Sequence, residues 1–411
     1  MDILTKNIAK AKKFNLQLFT ATNYTSLMYP IFMLCKINGL FPYKVTNIQS
    51  TAITISRITF IYSAVVFAIY IVLLALLIHY IDVSGAIKFV RVPAFLQAHC
   101  YLSLGCFMSV VSFVQSNSQI IFYRKFCAIT LKISPKKLAK LSKIIHIIEL
   151  IGVGFLLLQF PSVYSENYKI FMFRAVAMYT TFIIYCVDKI YINHAGLIGV
   201  CFMTINENLY KLKNNLRINE RHLLRRNYHK KWNPLLIINI QQIIKQHNNV
   251  SKLTVELNEK FGLQMIASVT LTFIEITFSL YFYILRALGL SGLNIETQIW
   301  FSYFVTSMSY YTIKLLLMVI MCEESRKQSR KTGIIVHEIL NETKDIEIND
   351  ELQIFSLQLL HHDTTFTVKG LKIDATLLTS FAGGITTYFL ILIQFLMSSQ
   401  SCAEVVEEST E

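Results

Sequence analysis

Runs of apolar residues long enough to cross a lipid bilayer recur along the chain. They lie at residues 58–80, 92–114, 144–160, 170–190, 261–285, 299–321 and 375–397, separated by polar or basic stretches. A helix rises about 1.5 Å per residue, so about 20 residues cross a hydrocarbon core of about 30 Å. The pattern therefore predicts an all-α, polytopic membrane protein with seven transmembrane helices.

These runs divide the chain into segments of different predicted environment. We predict a cytoplasmic N-terminal segment (1–57), transmembrane helices 1–4 (58–202) and a cytoplasmic helical segment (203–260). Transmembrane helices 5 and 6 (261–321), a second cytoplasmic segment with a short helix (322–373), the seventh helix (374–398) and an extracellular tail (399–411) follow. The first segment is interpreted as a cytoplasmic lead-in to the first span. A helix that lies on the membrane surface is one structure that it could adopt. Asp374 is predicted to cap the last helix, because its carboxylate can accept unpaired N–H groups of the first turn.

Helical periodicity continues through the basic segment 203–260. Its apolar residues repeat every three or four positions at Ile205, Leu209, Leu212 and Leu216, and again at Ile237, Ile240 and Ile244. This spacing is typical of packed helices rather than of a disordered loop. The stripes suit packing between subunits and packing within one chain equally well.

Charge sets the predicted orientation. Of the 411 residues, 54% are hydrophobic and 16% charged, and the formal net charge is +14. Most lysines and arginines lie in segments 1–57, 116–143, 203–260 and 322–373, which the positive-inside rule places in the cytoplasm. The N-terminus is therefore predicted inside and the C-terminus outside, opposite to a G-protein-coupled receptor. Since the basic residues flank membrane spans, nucleic acid is not an expected partner.

No group of residues points to catalysis or to a cofactor. Eight cysteines are scattered without paired spacing, and the adjacent His361 and His362 would point to different faces of a helix, without further ligands for a metal. We expect neither an enzyme nor a metal site. A transporter would more typically contain internal repeats or matched broken helices, whereas this chain contains only the pair Gly383–Gly384, which suits a hinge or a close helix contact.

The last apolar run carries a specific motif. Thr387 and Tyr388 are followed by five apolar residues and then by Gln394 and Phe395. This motif resembles the signature that closes the seventh helix of insect gustatory receptors, and residues 39–43, Gly-Leu-Phe-Pro-Tyr, are similar to moth and butterfly members. The resemblance implies a chemosensory, ligand-gated, non-selective cation channel in the plasma membrane of chemosensory neurons. It also implies a homotetramer or a heterotetramer with other gustatory receptor subunits, joined through cytoplasmic extensions of the later helices.

The same resemblance implies roles for residues of the last helix. Gln394 and Ile391, with Thr387, are expected to line the pore, and Thr387, Ile391 and Gln394 do fall on one helical face. The alternative for Gln394 is a hydrogen bond to a neighbouring helix. Phe389 stands where sugar receptors often have an acid, so the resemblance favours a bitter or plant-derived tastant. A fructose-type or other nutrient receptor is the alternative, and a G-protein-coupled receptor is a more distant one.

Candidate ligand contacts lie in the predicted outer halves of the spans. They are aromatic, polar or acidic: Tyr168, Phe171, Glu275, Thr277, Tyr281, Trp300, Tyr303, Ser307, Tyr310 and Tyr311. Aromatic walls with a few polar groups bind flat, partly apolar molecules, although an aromatic belt at the membrane interface gives a similar pattern.

Glu275 is the sharpest of these candidates, because a charge inside a span costs about 2.5–3.5 kcal/mol on insertion scales. A ligand amine is one candidate partner. Lys314 is another, but its predicted depth differs from that of Glu275 by about 10 Å. Glu149 is expected to pair with Lys189 or His146 and to stabilise the fold.

Overall fold

The structure, a computed structural model, describes residues 19–45, 53–89, 91–220, 226–289, 297–343, 345–361 and 364–408. Its α-helices in chain order are α1 (Tyr24–Leu27), α2 (Tyr29–Ile37), α3 (Arg57–Ile78), α4 (Val92–Thr130), α5 (Pro135–Leu158), α6 (Tyr168–Glu220), α7 (Arg226–Ala287), α8 (Thr297–Glu342), α9 (Ile346–His361) and α10 (Ala375–Glu408). A π-helical turn, His79–Val83, extends α3, and a 3-10 turn, Phe160–Val163, follows α5. Two short antiparallel hairpins are present, β1 (Tyr43–Val45) with β2 (Ile53–Ile55) and β3 (Thr367–Val368) with β4 (Leu371–Lys372).

Seven of these helices, α3 to α8 and α10, are long and apolar enough to cross a membrane. Each of them, together with the short turns that follow α3 and α5, covers one of the seven predicted apolar runs. The prediction of an all-α, polytopic fold with seven transmembrane helices is confirmed.

Three helices are much longer than a membrane is thick. α6 has 53 residues, α7 has 62 and α8 has 46, whereas about 20 residues cross a hydrocarbon core. Their extensions are residues 203–216, 234–260 and 322–342, and together with α9 we call them the base. Asn206 of α6 donates to the carbonyl oxygen of Gln328 of α8, and Gln241 of α7 donates to Glu351 of α9. Within the base, Lys213 Nζ lies 2.9 Å from Glu338 Oε2 and 3.0 Å from Glu342 Oε1.

The apolar stripes of the base are buried within the chain itself. Ile205, Leu209, Leu212 and Ile240 are almost completely buried and belong to the main hydrophobic core. Of the two interpretations left open by the sequence, packing within one chain is therefore the one that this structure contains. Any contact between subunits would have to use other faces of these helices.

Helices continue beyond the ends of the apolar runs. α4 extends to Thr130, although its apolar run ends near residue 114 and the segment 116–143 is basic. Phe122 and Phe126 lie in this extension and are buried. Hydropathy falls where a helix leaves the bilayer, but the helix ends only where its packing surface ends.

The described part of the N-terminal segment, residues 19–45, packs against the helix bundle. Tyr24, Leu27 and Met28 are buried in the main core, and the Tyr24 hydroxyl lies 2.8 Å from His194 Nε2 of α6. Burial raises the pKa of Tyr24 well above its ordinary value, so this hydroxyl stays neutral. The described part of this segment is therefore packed into the core of the helix bundle.

Among the described residues, no ion pair joins Glu149 to Lys189 or His146, although the charges of Glu149 and Lys189 attract each other. Asn193 Nδ2 donates to Glu149 Oε1 at 2.6 Å. His146 instead accepts from the Phe19 amide at 3.0 Å through Nδ1, and its Nε2 lies 2.9 Å from the Leu27 carbonyl oxygen. A tautomer protonated at Nε2 satisfies both contacts, so this histidine ties the N-terminal segment to α5.

Asp374 caps α10 as the sequence predicts. The backbone N–H of Thr376 donates to Asp374 Oδ1 at 3.0 Å, and the Thr376 hydroxyl donates to the same oxygen. Arg326 of α8 lies 3.3 Å from Asp374 Oδ2. The hydrogen bonds from Thr376 and the charge of Arg326 hold the pKa of Asp374 below its ordinary value.

We expect Asp374→Ala to destabilise the start of α10 by about 0.5–2 kcal/mol, the usual cost of losing a cap. Because the folded-state pKa is lowered, this stabilisation is present above the unfolded pKa of about 3.9 and is lost as the pH falls through the folded-state value. Thermal unfolding in detergent would show a difference from the parent chain at pH 7 that shrinks below about pH 4. Asp374→Asn, which keeps a capping oxygen but not the charge that faces Arg326, is the control: its stability should lie between those of the parent and Asp374→Ala at pH 7 and should not show the loss below about pH 4.

Candidate functional site

A cavity of about 340 Å³ lies among α4, α6, α7 and α8, beside the turn after α5. Ligand pockets in proteins typically measure about 300–1,000 Å³ and have mostly apolar walls with a few polar groups. This cavity fits that description. Its wall is formed by Phe89, Ala94, Gln97, Ala98, Tyr101, Gln159, Ser162, Val163, Phe173, Arg174, Ala177, Met178, Thr181, Glu275, Ser279, Phe282, Tyr303, Phe304, Ser307, Tyr310 and Tyr311.

Glu275 is the acidic group of the cavity wall. Its side chain belongs to α7 and is only 4% exposed. Gln97 Nε2 of α4 donates to Oε2 at 2.9 Å, whereas Oε1 has no hydrogen-bond partner among the described residues. Within the same residues, no lysine or arginine nitrogen lies at ion-pair distance from this carboxylate.

Lys314 pairs with a different carboxylate, in line with the difference in depth expected from the sequence. Its Nζ lies 2.7 Å from Asp188 Oδ2 of α6, and both side chains are buried. The angles at these two atoms are unsuitable for a hydrogen bond, so the contact is an ion pair without one.

Arg174 is the basic group of the cavity wall. Its Nη1 donates to the carbonyl oxygens of Ser162 at 3.1 Å and Tyr164 at 2.9 Å. These bonds tie the start of α6 to the turn after α5 and hold two sides of the cavity together. Sequence reasoning missed Arg174 and Gln97 as site residues, although a polar side chain within an apolar run is the signal that singled out Glu275.

Half of the predicted ligand contacts meet in this cavity. Its wall includes Glu275, Tyr303, Ser307, Tyr310 and Tyr311. Four other predicted ligand contacts, Tyr168, Phe171, Thr277 and Tyr281, lie outside the cavity wall. The Trp300 side chain lies outside the described residues.

The residues placed elsewhere have other surroundings. The Thr277 hydroxyl donates to the Phe273 carbonyl oxygen at 2.8 Å, one turn earlier in the same helix. Tyr281 packs against Leu396 of α10. Tyr168 and Phe171 are exposed on the outside of the bundle, as expected for residues of an interfacial belt.

The last helix is the one least covered by its own chain. In the most apolar stretch of α10, 11% of the residues are buried, against 61% in that of α7. Thr387, Ile391 and Gln394 are all exposed, and the Thr387 hydroxyl donates to the Gly383 carbonyl oxygen at 2.9 Å. Gln394 forms no hydrogen bond with any described residue, so this chain does not use it to join two of its own helices. This face remains available to lipid or to other chains.

A family model described as 7tm Chemosensory receptor matches residues 28–399. The chain belongs to this chemosensory receptor family. The match includes all seven spans, the N-terminal α2 and the base. The cavity and the exposed face of α10 are therefore features of a chemosensory receptor.

Individual relatives support this assignment over shorter regions. The receptor is 33% identical to gustatory receptor 28b of Drosophila melanogaster over 42% of its own length and 39% of the relative. It is 35% identical to gustatory receptor 28a of the same species over 38% of its length and 35% of the relative. The alignments thus span less than half of either protein.

A solved structure extends the comparison to nearly the whole fold. The insect olfactory receptor OR5 from Machilis hrabei, in complex with eugenol, matches 90% of the receptor and 97% of that chain with a TM-score of 0.63. The sequence identity is 12%, so the likeness establishes the fold alone.

In the receptor, α7 connects the cavity to α10. Glu275, Ser279 and Phe282 of α7 line the cavity. Two other residues of α7 contact α10. The Phe273 ring lies 5.6 Å from the ring of Phe381 and 5.7 Å from that of Tyr388, and Tyr281 packs against Leu396. The same helix therefore contacts both the cavity and α10.

Proposed function

We propose that this chemosensory receptor is a tastant-gated, non-selective cation channel. A small molecule occupies the cavity, and its binding moves α10, which lines the pore. The observation that carries the proposal is the position of α7, which forms one wall of the cavity with Glu275 and contacts α10 through Phe273 and Tyr281.

The pore itself would form between subunits. A bundle of one chain leaves Thr387, Ile391 and Gln394 exposed on one face of α10, and a tetramer would bring four such faces around one axis. Ile391 would then form an apolar constriction and Gln394 a polar ring, the two elements from which many channels build a gate and a selective site. The tetramer would contain four copies of this chain or include other gustatory receptor subunits.

The receptor would lie in the plasma membrane of chemosensory neurons with its N-terminus in the cytoplasm. The base, which is rich in lysine and arginine, would then face the cytoplasm, as the positive-inside rule favours. The same orientation argues against coupling to G proteins, since that class of receptor has its N-terminus outside.

The cavity wall favours a bitter or plant-derived molecule over a sugar. Aromatic residues from three helices, Tyr101, Phe282, Tyr303, Phe304, Tyr310 and Tyr311, supply flat apolar surface, whereas a sugar requires a hydrogen-bond partner for most of its hydroxyls. A fructose-type receptor remains the second candidate, supported by the polar groups Gln97, Arg174 and Glu275 in the same wall.

The proposal predicts that Gln394→Ala changes permeation without affecting assembly. Removing a polar ring beside an apolar constriction should alter single-channel conductance and the reversal potential in mixed-cation solutions. The measurement is patch-clamp recording of currents evoked by the most effective tastant of a screening panel, with surface expression measured in parallel.

Ile393→Ala is the matched control, since its side chain points about 100° away around the helix. Ile393→Ala should leave the single-channel conductance and the reversal potential at their parental values. Parental conductance and selectivity in Gln394→Ala would remove this residue from the pore and leave it at the lipid or at a subunit contact.

A further inference from the structure

The unpaired oxygen of Glu275 points to the chemistry of the ligand. The carboxylate is 4% exposed, and Gln97 occupies Oε2 at 2.9 Å, while Oε1 has no partner among the described residues. A buried carboxylate without a cation is strongly unfavourable. A ligand that carries a positive charge would supply the missing partner.

The basic side chains nearby are engaged elsewhere. Arg174 Nη1 is held by the Ser162 and Tyr164 carbonyl oxygens, and Lys314 is paired with Asp188. Arg174 and Glu275 are the charged members of the described cavity wall, and no ion pair joins them. No cation among the described residues therefore forms an ion pair with Glu275, and its Oε1 is available to a ligand.

The rest of the wall suits a cation as well. Tyr101, Phe282, Tyr303, Phe304, Tyr310 and Tyr311 surround the same space. The face of an aromatic ring carries partial negative charge and attracts an ammonium group, most strongly where water is excluded. A carboxylate together with aromatic rings is a combination that recognises a positively charged nitrogen and the flat apolar body attached to it.

We propose that the cavity binds a cationic amine, with the ammonium group paired to Glu275 and the apolar body against the aromatic wall. The inference rests on the proposed function and specifies its ligand class. Gln97 acts as a positioning residue: its bond to Oε2 fixes the carboxylate and leaves Oε1 for the ligand. Because Glu275 belongs to α7, the charge pair would form on the helix that contacts α10.

The test measures the cavity's preference for charge without requiring the natural ligand. Ser279 lines the cavity one helical turn after Glu275, so Ser279→Cys places a thiol beside the carboxylate. The purified receptor is treated with 2-aminoethyl methanethiosulfonate, a cation, or with its neutral 2-hydroxyethyl analogue of similar size. Peptide mass spectrometry gives the modification rate at position 279, separately from the native cysteines, and each rate is divided by that of a free thiol in solution.

We expect the ratio of cationic to neutral rates to fall by about tenfold or more when Glu275→Gln is added, since the attraction between nearby charges is strong at a site of low effective dielectric. Glu275→Asp should keep most of the preference. Glu256→Gln, which changes a carboxylate that pairs with Lys125 far from the cavity wall, should leave the ratio unchanged. Equal ratios with glutamate and glutamine at position 275 would overturn the inference.

A second measurement needs no change at Glu275 and covers the case in which Glu275→Gln fails to fold. In the Ser279→Cys receptor, 2-phenylethylamine should protect the thiol from the neutral reagent at a concentration at least tenfold lower than 2-phenylethanol does. Equal protection, or protection by neither compound, would contradict an amine site. If the receptor shows the charge preference but no tastant-evoked current, the channel proposal is refuted and this inference stands. If tastants evoke currents but the ratio of cationic to neutral modification rates is the same with glutamate and glutamine at position 275, only this inference is refuted.

Discussion

Replacing Lys314 by methionine is expected to destabilise the receptor by about 3–5 kcal/mol, the usual cost of removing one partner of a buried ion pair. Lys314 Nζ and Asp188 Oδ2 are 2.7 Å apart with both side chains buried, and Ser268 Oγ donates to the other oxygen of Asp188 at 2.6 Å. Without the ammonium, the carboxylate would remain among three helices with one hydroxyl as its partner. The measurement is the Tm of the purified receptor in detergent, together with its yield as a monodisperse species.

Two further variants separate the ion pair from a general effect of losing a lysine. The double change Asp188→Asn with Lys314→Met should recover most of the loss, because the neutral amide can still accept from Ser268 and no charge is left unpaired. Lys327→Met removes an exposed lysine from the same helix and should be close to neutral. A double variant as unstable as Lys314→Met would show that Lys314 acts through packing and not through charge.

The spans could be predicted from sequence because the bilayer imposes a simple rule. A helix that crosses hydrocarbon must be apolar over about 20 residues, and each predicted run lies within one of the long helices of the structure. Helix ends follow no such rule. α4 continues to Thr130 and α8 to Glu342, because beyond the bilayer a polar helix is held by contacts that hydropathy does not record.

The position of the N-terminal segment could not be predicted for a related reason. An amphipathic stretch with Tyr24 and Phe32 can bury its apolar face in a membrane interface or in a protein core, and its composition is the same in both cases. The structure resolves this choice through contacts distant in sequence, such as Tyr24 with His194 and His146 with the Leu27 carbonyl oxygen.

The candidate site could be predicted only in part. Glu275 stands out because a charge in an apolar run is costly, and the aromatic residues of α8 are close to it in predicted depth. Which face of each helix points inward depends on how four helices pack, so Tyr281 and Thr277 face away from the cavity while Tyr101 and Phe282 line it. Gln97 and Arg174 become recognisable as wall residues only after α4 and α6 are placed beside α7.

The pair Gly383–Gly384 admits a sharp test of how the cavity acts on α10. A Cβ atom at Gly384 would lie 2.9 Å from Cε2 of Phe273, whereas no atom of the described residues outside the local helix lies within 4 Å of the corresponding position at Gly383. We expect Gly384→Ala to force Phe273 or α10 to shift at a cost of about 1–3 kcal/mol. If the contact transmits ligand binding, the tastant concentration for half-maximal current should change by about tenfold, since 1.4 kcal/mol corresponds to a factor of ten.

Gly383→Ala is the matched control, because both changes raise helix propensity by about 1 kcal/mol but only one meets Phe273. A hinge at this pair would be stiffened by either alanine, so equal effects on gating would favour a hinge over contact. An effect confined to Gly384→Ala, and reduced in the double variant with Phe273→Leu, would identify coupling between these two side chains. The receptor would then pass the signal from α7 to α10 through Phe273, two residues before Glu275 in the same helix.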